Sequence, residues 1–284
     1  MREECLQCSI ILRNKELAYQ AKPERPDPIM ARRLQELIGG QFGEMSVMNQ
    51  YLFQAWGTRG HAKYRDLLLD TGTEEIGHIE LLSTMVARLL DDAPVTELDT
   101  AAATNPALAA IIGGMDPQHA IVSGLSATPK DSNGVPWSGS YIIAGGNLLA
   151  DMRSNLHAES QGRLQAVRIY EQTDDRGIKD MLSYLIARDT MHQNQWLAAI
   201  YELEQQEGVV VPNTFPKELE KRDVSYLFLN HSMGDESSKG RWASGQSMDG
   251  MGTFQYVKDV PPFGPAPKLK PAPPAVHTTP PNVM

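Results

Sequence analysis

Apolar residues recur at intervals of three and four through four long stretches of this 284-residue chain. Leu34, Leu37, Ile38, Phe42, Met45, Met48, Leu52 and Phe53 trace the first stretch and predict a helix from about Pro28 to Trp56. Pro28 suits a first helical turn, and Gly57 and Gly60 end the run. Gly39, Gly40 and Gly43 interrupt it, which fits either close helix packing or room for a ligand beside Glu44. A second stripe, Leu67, Leu68, Ile76, Ile79, Leu82, Met85, Val86 and Leu89, predicts a helix from about 62 to 90, stopped by Asp91-Asp92-Ala93-Pro94. Two more follow, from about 144 to 172 and from about 178 to 206, joined by the short turn Asp174-Asp175-Arg176-Gly177.

The stretches between these helices differ sharply in length. Residues 93–143, broken by six or more glycines and prolines, are far too long for a hairpin loop. They read as the crossover that returns the chain to start a second helical hairpin. The fold class expected is all-α: a four-helix bundle with a long crossover between its second and third helices. Residues 1–27 form a polar leading segment, 28–210 the bundle and 211–284 an irregular C-terminal extension. Nine of the nineteen prolines fall in residues 261–284. Such a tail builds no core alone, and Trp242, Phe254, Tyr256 and Phe263 give it apolar anchors for an arm over a neighbouring subunit.

Composition narrows the partners. A net charge of −9 argues against nucleic acid or an anionic membrane surface. No run of about 18 apolar residues is present, so no membrane span is expected. The charged start, Met1-Arg2-Glu3-Glu4, carries no apolar signal region. The two cysteines, Cys5 and Cys8, have redox or half-zinc-site spacing, but no second pair accompanies them. Together these features suit a cytoplasmic protein.

The chemistry lies in a spacing that occurs twice. Glu44 is followed 31 residues later by Glu75 and then His78; Glu159 is followed 30 residues later by Asp189 and then His192. On a helix, acid-x-x-His puts both side chains on one face, one turn apart. Residues thirty apart in an antiparallel hairpin meet at one height if each lies about fifteen residues, roughly 20 Å, from the turn. Two such hairpins would gather carboxylates and imidazoles in a buried space, where only cations offset the repulsion and lost hydration. Imidazole with carboxylate suits iron, manganese or zinc. Glu44, Glu75, His78, Glu159 and His192 are the candidate ligands, whereas Glu74 and Glu80 read as surface charges. Asp189 would bridge metals if it were longer; as aspartate it fits a proton exchanger beside metal-bound solvent. Tyr51, seven residues after Glu44, is a core tyrosine or a hydrogen-bond donor to the site. Asp66 and Asp70, an i, i+4 acidic pair, are solvated charges or oxygen ligands for a hard cation such as calcium. His61, His119, His157, His231 and His277 lack matching partners.

Four segments resemble the manganese catalases: Gly40-Gln41-Phe42-Gly43-Glu44-Met45-Ser46, Asp70-Thr71-Gly72-Thr73-Glu74-Glu75-Ile76-Gly77-His78, Ala187-Arg188-Asp189-Thr190-Met191-His192 and Gly234-Asp235-Glu236-Ser237-Ser238-Lys239-Gly240-Arg241-Trp242. The resemblance spans roughly residues 1–260. It implies a ferritin-like bundle assembled as a homohexamer, with a C-terminal extension embracing neighbours. It implies two manganese ions, one on Glu44 and His78, one on Glu159 and His192, bridged by Glu75, and disproportionation of hydrogen peroxide with Asp189 as proton relay. Some members bind calcium between subunits, and Asp66, Asp70, Asn230, Ser232 and Gly234 match those positions. Two positions bordering the site depart from some members: Ala158 stands for an arginine and Asp189 for a glutamate. The alternative is a ferritin-like di-iron ferroxidase or iron-storage protein, against which the long crossover and tail weigh. A third reading is a structural hexamer whose site has decayed.

Overall fold

The computed structural model describes residues 16–92, 119 and 121–270. The first part of the expected crossover, the Cys5–Cys8 pair and the last prolines lie outside them. The chain divides into two compact units, Met1–Val211 and Pro212–Met284.

The first unit is helical. α1 spans Pro28–Gly39, α2 Glu44–Gly57, α3 Ala62–Leu89, α4 Leu148–Tyr170 and α5 Arg176–Glu207. Caps fix several ends. The Asp27 carboxylate accepts from the N–H groups of Ile29 and Met30, with Pro28 in the first turn. Asn147 accepts from Ala150 N–H ahead of α4, and Asp175 from Ile178 N–H ahead of α5. Gly208, at φ 86°, ends α5 in a backbone region that side chains disfavour.

The predicted first helix is two helices. The chain leaves helical geometry at Gly40 and re-enters after Gly43. The glycines here stand where side chains would not fit. A Cβ on Gly39 would sit 2.4 Å from the Lys130 carbonyl oxygen, so the returning crossover occupies the space a side chain would need. Buried Gln35 fastens that strand: its amide donates to the carbonyls of Thr128 and Lys130, and its Oε1 accepts from Thr128 N–H. The break makes Glu44 the first residue of α2, where the exposed N–H ends of the helix favour negative charge.

α2 packs chiefly on α3, and α4 on α5, giving two hairpins that close into a four-helix bundle with α1 as a broken extension of the first arm. Buried apolar residues form two clusters. One gathers Leu34, Ile38, Leu82, Met85, Met181 and Leu185; the other gathers Tyr51, Leu68, Met152, Trp196 and Leu203. Along α3, α4 and α5 the predicted site residues fall between the two, a polar layer in an otherwise apolar interior. A buried amide group joins α2 to α4: Gln50 and Gln54 donate to Asn155 Oδ1, and Asn155 Nδ2 returns a bond to Gln54 Oε1. With partners on each side, these amides lock the register of the hairpins.

The second unit carries a feature the helical rhythm gave no sign of, a three-stranded sheet in the order β1-β3-β2. β1 is Leu227–Leu229, β2 Ser244–Gln246 and β3 Thr253–Val257. β1 runs parallel to β3 and β2 antiparallel to it. The strands are too short for the alternation that would reveal them in sequence. Among the described residues no helix is long and apolar enough to cross a membrane.

Candidate metal centre

Each hairpin brings one carboxylate–imidazole pair to the middle of a long helix. Glu75 and His78 lie near the centre of α3, Glu159 at the centre of α4, and Asp189 and His192 near the centre of α5. Glu44 enters from the start of α2. Two three-residue groups result: Glu44, Glu75 and His78, and Glu75, Glu159 and His192, with the ligand atoms of each within 4.8 Å of one another. Glu75 belongs to both. Its Oε2 lies 2.6 Å from His78 Nδ1 and its Oε1 3.0 Å from His192 Nδ1. The two imidazoles face each other at 5.8 Å between ring centres, inclined by 26°.

The residues fit metal ions on the chemistry of their unpaired atoms. Both carboxylate oxygens of Glu75 and both ring nitrogens of His78 and of His192 are buried and face only one another and Glu74, with no well-formed hydrogen bond. Buried polar groups are nearly always well paired, so carboxylate and imidazole atoms crowded this densely ask for cations. Hard-to-borderline divalent ions take that donor set, and among the described residues no thiolate accompanies it to favour a softer one.

Electrostatics say the same. Burial, reinforced by the neighbouring Glu75, lifts the Glu44 carboxyl to about 8. Burial also raises Glu159, and raises Asp189 well above the ordinary range with help from Glu44 and Glu159. Burial works against charged Glu75 as well, yet the adjacent imidazoles overcome it and hold Glu75 down to about 2. The imidazoles hold protons in turn: burial opposes their charge, but the carboxylates win and carry His192 up to about 12. A metal-free cluster thus keeps protons where metal ions would otherwise sit.

Sequence reasoning missed one residue and misjudged its setting. Glu74, expected on the surface, faces the Nε2 atoms of both histidines, at 3.5 Å from His78 and 3.3 Å from His192. Arg188 clamps it with two bonds, Nε to Oε1 at 2.5 Å and a second nitrogen to Oε2 at 3.1 Å. Both Nδ1 atoms are thereby aimed at the carboxylate cluster, the orientation a carboxylate partner imposes on metal-binding histidines. The clue was an acid at i−4 from His78 on the same helix face. The other half, that Arg188 and His192 arrive from α5, is tertiary.

Of the remaining candidates, Tyr51 is fully buried and donates to Glu159 Oε1 at 2.5 Å while its ring packs on Trp196. Asp189 is buried and lines a small cavity with Glu44 and Glu159. Asp66 and Asp70 lie exposed on α3. In the second unit, Asn230 Oδ1 accepts from the N–H and hydroxyl of Ser232, whose hydroxyl lies within bonding distance of the Gly234 carbonyl. Exposed His157 sets its ring edge-on to Phe42.

Helix order, the long return of the chain and a polar layer of paired acid-x-x-His units place this chain among the ferritin-like four-helix bundles. The sequence profile described as manganese containing catalase matches residues 11–284. A manganese catalase of Bacillus subtilis is 62% identical over 265 residues, covering 93% of this chain and 96% of that protein. One from Lactiplantibacillus plantarum is 46% identical over 263 residues, covering 93% and 97%. In fold, the chain is similar to the crystal structure of KatB, a manganese catalase from Anabaena PCC7120, with a TM-score of 0.70 at 24% identity, over 87% of this chain and 99% of that one. The chain belongs to the manganese catalase family.

Proposed function

We propose that this chain disproportionates hydrogen peroxide to water and dioxygen at two manganese ions, one held by Glu44 and His78, the other by Glu159 and His192, with Glu75 shared. The observation that carries this reading is the position of Glu75, with one oxygen turned to each imidazole and neither oxygen bonded to anything else. When bound, a manganese pair would supply two-electron redox chemistry, which suits a reaction in which one peroxide takes two electrons as its O–O bond breaks and the other gives two and keeps its O–O bond as dioxygen.

The protein's own work is positional and protonic. Glu74, clamped by Arg188, fixes both imidazoles. Tyr51 holds the Glu159 carboxylate through Oε1. Asp189 stands beside Glu44 and Glu159 without belonging to either ligand group, and burial keeps its carboxyl protonated more readily than usual. It is therefore the group placed to give a proton to a departing oxygen and recover one from the incoming peroxide. Apolar walls around these residues keep bulk water from competing with peroxide.

The assembly is a homohexamer in the cytoplasm, with the 211–284 extension packing over neighbouring chains. Calcium binds between chains through Asp66 and Asp70 of one and Asn230, Ser232 and Gly234 of another. The ferroxidase reading is not favoured, because the relatives are manganese catalases. Metal analysis paired with an oxygen electrode tests the proposal. About two manganese per chain and oxygen release from peroxide are expected, and manganese-replete protein that releases no oxygen would overturn it.

A further inference from the structure

Two cavities meet on one side of the centre. The inner one, about 10 Å³, touches Glu44, Glu159 and Asp189 and has room for about one water. The outer one, about 130 Å³, has a mixed lining in which Gln41, Ser46, Gln50 and Ser154 stand among Val47, Ile143 and Ala158. The walls they have in common are Phe42, Val47 and Ala158. This ring of three apolar side chains stands between the outer space and the carboxylates.

The three wall residues are not equivalent. Val47 and Ala158 are buried on α2 and α4, so their backbones are fixed. Phe42 stands in the non-helical link between α1 and α2 and is only half-buried. Two contacts hold it. Its ring meets the His157 ring edge-on, at 5.4 Å and 84°. Its carbonyl oxygen lies where a Cβ on Gly162 would come within 2.9 Å, so α4 approaches the link closely at that glycine. The backbone of Phe42 is pinned, its ring is braced from outside, and it lines both cavities.

We propose that Phe42, braced by His157, is a size filter that sets which hydroperoxides reach the metal centre. Hydrogen peroxide is no broader than water and threads the ring; a tertiary alkyl hydroperoxide is stopped there. The inference rests on the dimanganese reading above. Were the larger oxidant admitted, hydrogen peroxide would give two electrons and two protons and leave as dioxygen. The alkyl O–O bond would break to give the alcohol and water, so atoms and electrons balance.

The test uses manganese-loaded full-length protein and two readouts. One is the ratio of kcat/KM for tert-butyl hydroperoxide to that for hydrogen peroxide. The other is the rate at which azide perturbs the optical spectrum of the bound metal, which needs no turnover. Phe42→Ala should raise the ratio about tenfold or more, and His157→Ala should raise it less. Ala158→Leu, which fills the ring, should slow azide entry by about tenfold. Where Phe42→Ala fails to load metal, Phe42→Leu replaces it with a smaller expected rise. A metal-loaded Phe42 variant with an unchanged ratio, or Ala158→Leu with unchanged azide entry, overturns the filter. Wild-type protein that loads manganese but releases no oxygen would sink the functional reading instead, and leave azide entry to decide this one.

Discussion

The two halves of the centre are built from near-repeated sequence and supported in unlike ways. Glu159, on the second hairpin, is gripped by the hydroxyl of Tyr51, whose ring packs on Trp196. Glu44, on the first, has no such donor; it starts a helix and borders the inner cavity. Repeating a ligand pattern therefore does not repeat its surroundings. One carboxylate is preorganised by a phenol, while the other, beside the same inner cavity, has no such donor. What unites the halves is the pair of glutamates on α3: Glu75 between the Nδ1 atoms and Glu74 behind the Nε2 atoms. The sharpest way to break the comparison is to remove what is shared, and the gentlest is to remove what is not.

Glu75→Gln should have the largest effect. The amide keeps the shape but loses the charge that both imidazoles face and that the two proposed ions would share. Manganese per chain should fall from about two to below one, and peroxide turnover by at least about a thousandfold, near 4 kcal/mol in barrier. Elemental analysis and oxygen release check it. Retention of both ions would mean that Glu75 does not join the halves.

Glu74→Ala comes next, and its signature is symmetry. Losing the carboxylate behind both Nε2 atoms should weaken metal binding or turnover by about 10- to 100-fold. Because Glu74 faces both rings at similar distances, both ions should weaken together in a competitive chelator titration. Loss confined to one ion would show that Glu74 serves one half only.

Glu74 also shows what the sequence could and could not disclose. Glu75, His78, Glu159 and His192 were legible because the spacing that centres them in two hairpins is a one-dimensional fact, and helix geometry turns it into three dimensions. Glu74 was not, because its importance depends on Arg188 and His192 arriving from another helix. The break in the first helix hid for a similar reason. Gly39, Gly40 and Gly43 were visible, but the Lys130 backbone that needs the space comes from ninety residues on. The sheet of the second unit, with strands of three to five residues, left too little alternation to read.

Acid should separate protonation from geometry. The folded, metal-free chain holds a proton on Glu44 up to about 8, against an ordinary carboxyl value of 4.5. The raised value means that this proton favours the folded apoprotein at low pH, and that its contribution fades as pH rises through about 8. Manganese must expel that proton and those on the imidazoles. Affinity should therefore fall below about pH 8, by about tenfold per unit for each proton expelled, more steeply than above it. Manganese titrations between pH 6 and 9, with proton release followed in weak buffer, check the slope. A flat profile would place the ions elsewhere.

The smallest effect expected is also the most diagnostic of asymmetry. Tyr51→Phe keeps the ring and its packing on Trp196, so folding should barely change. What goes is one hydrogen bond to Glu159 Oε1, whose carboxylate still has a metal ion to satisfy it. The loss should be near 1 kcal/mol, about fivefold in affinity for a single ion. The Glu44 half should bind as before, since the Tyr51 hydroxyl bonds to Glu159, which is not among its ligands. A two-site manganese titration separates the outcomes. One weakened step beside one unchanged step means that the phenol supports the second hairpin alone. Equal weakening of both would mean that the ions are coupled so tightly through Glu75 that the halves act as one site.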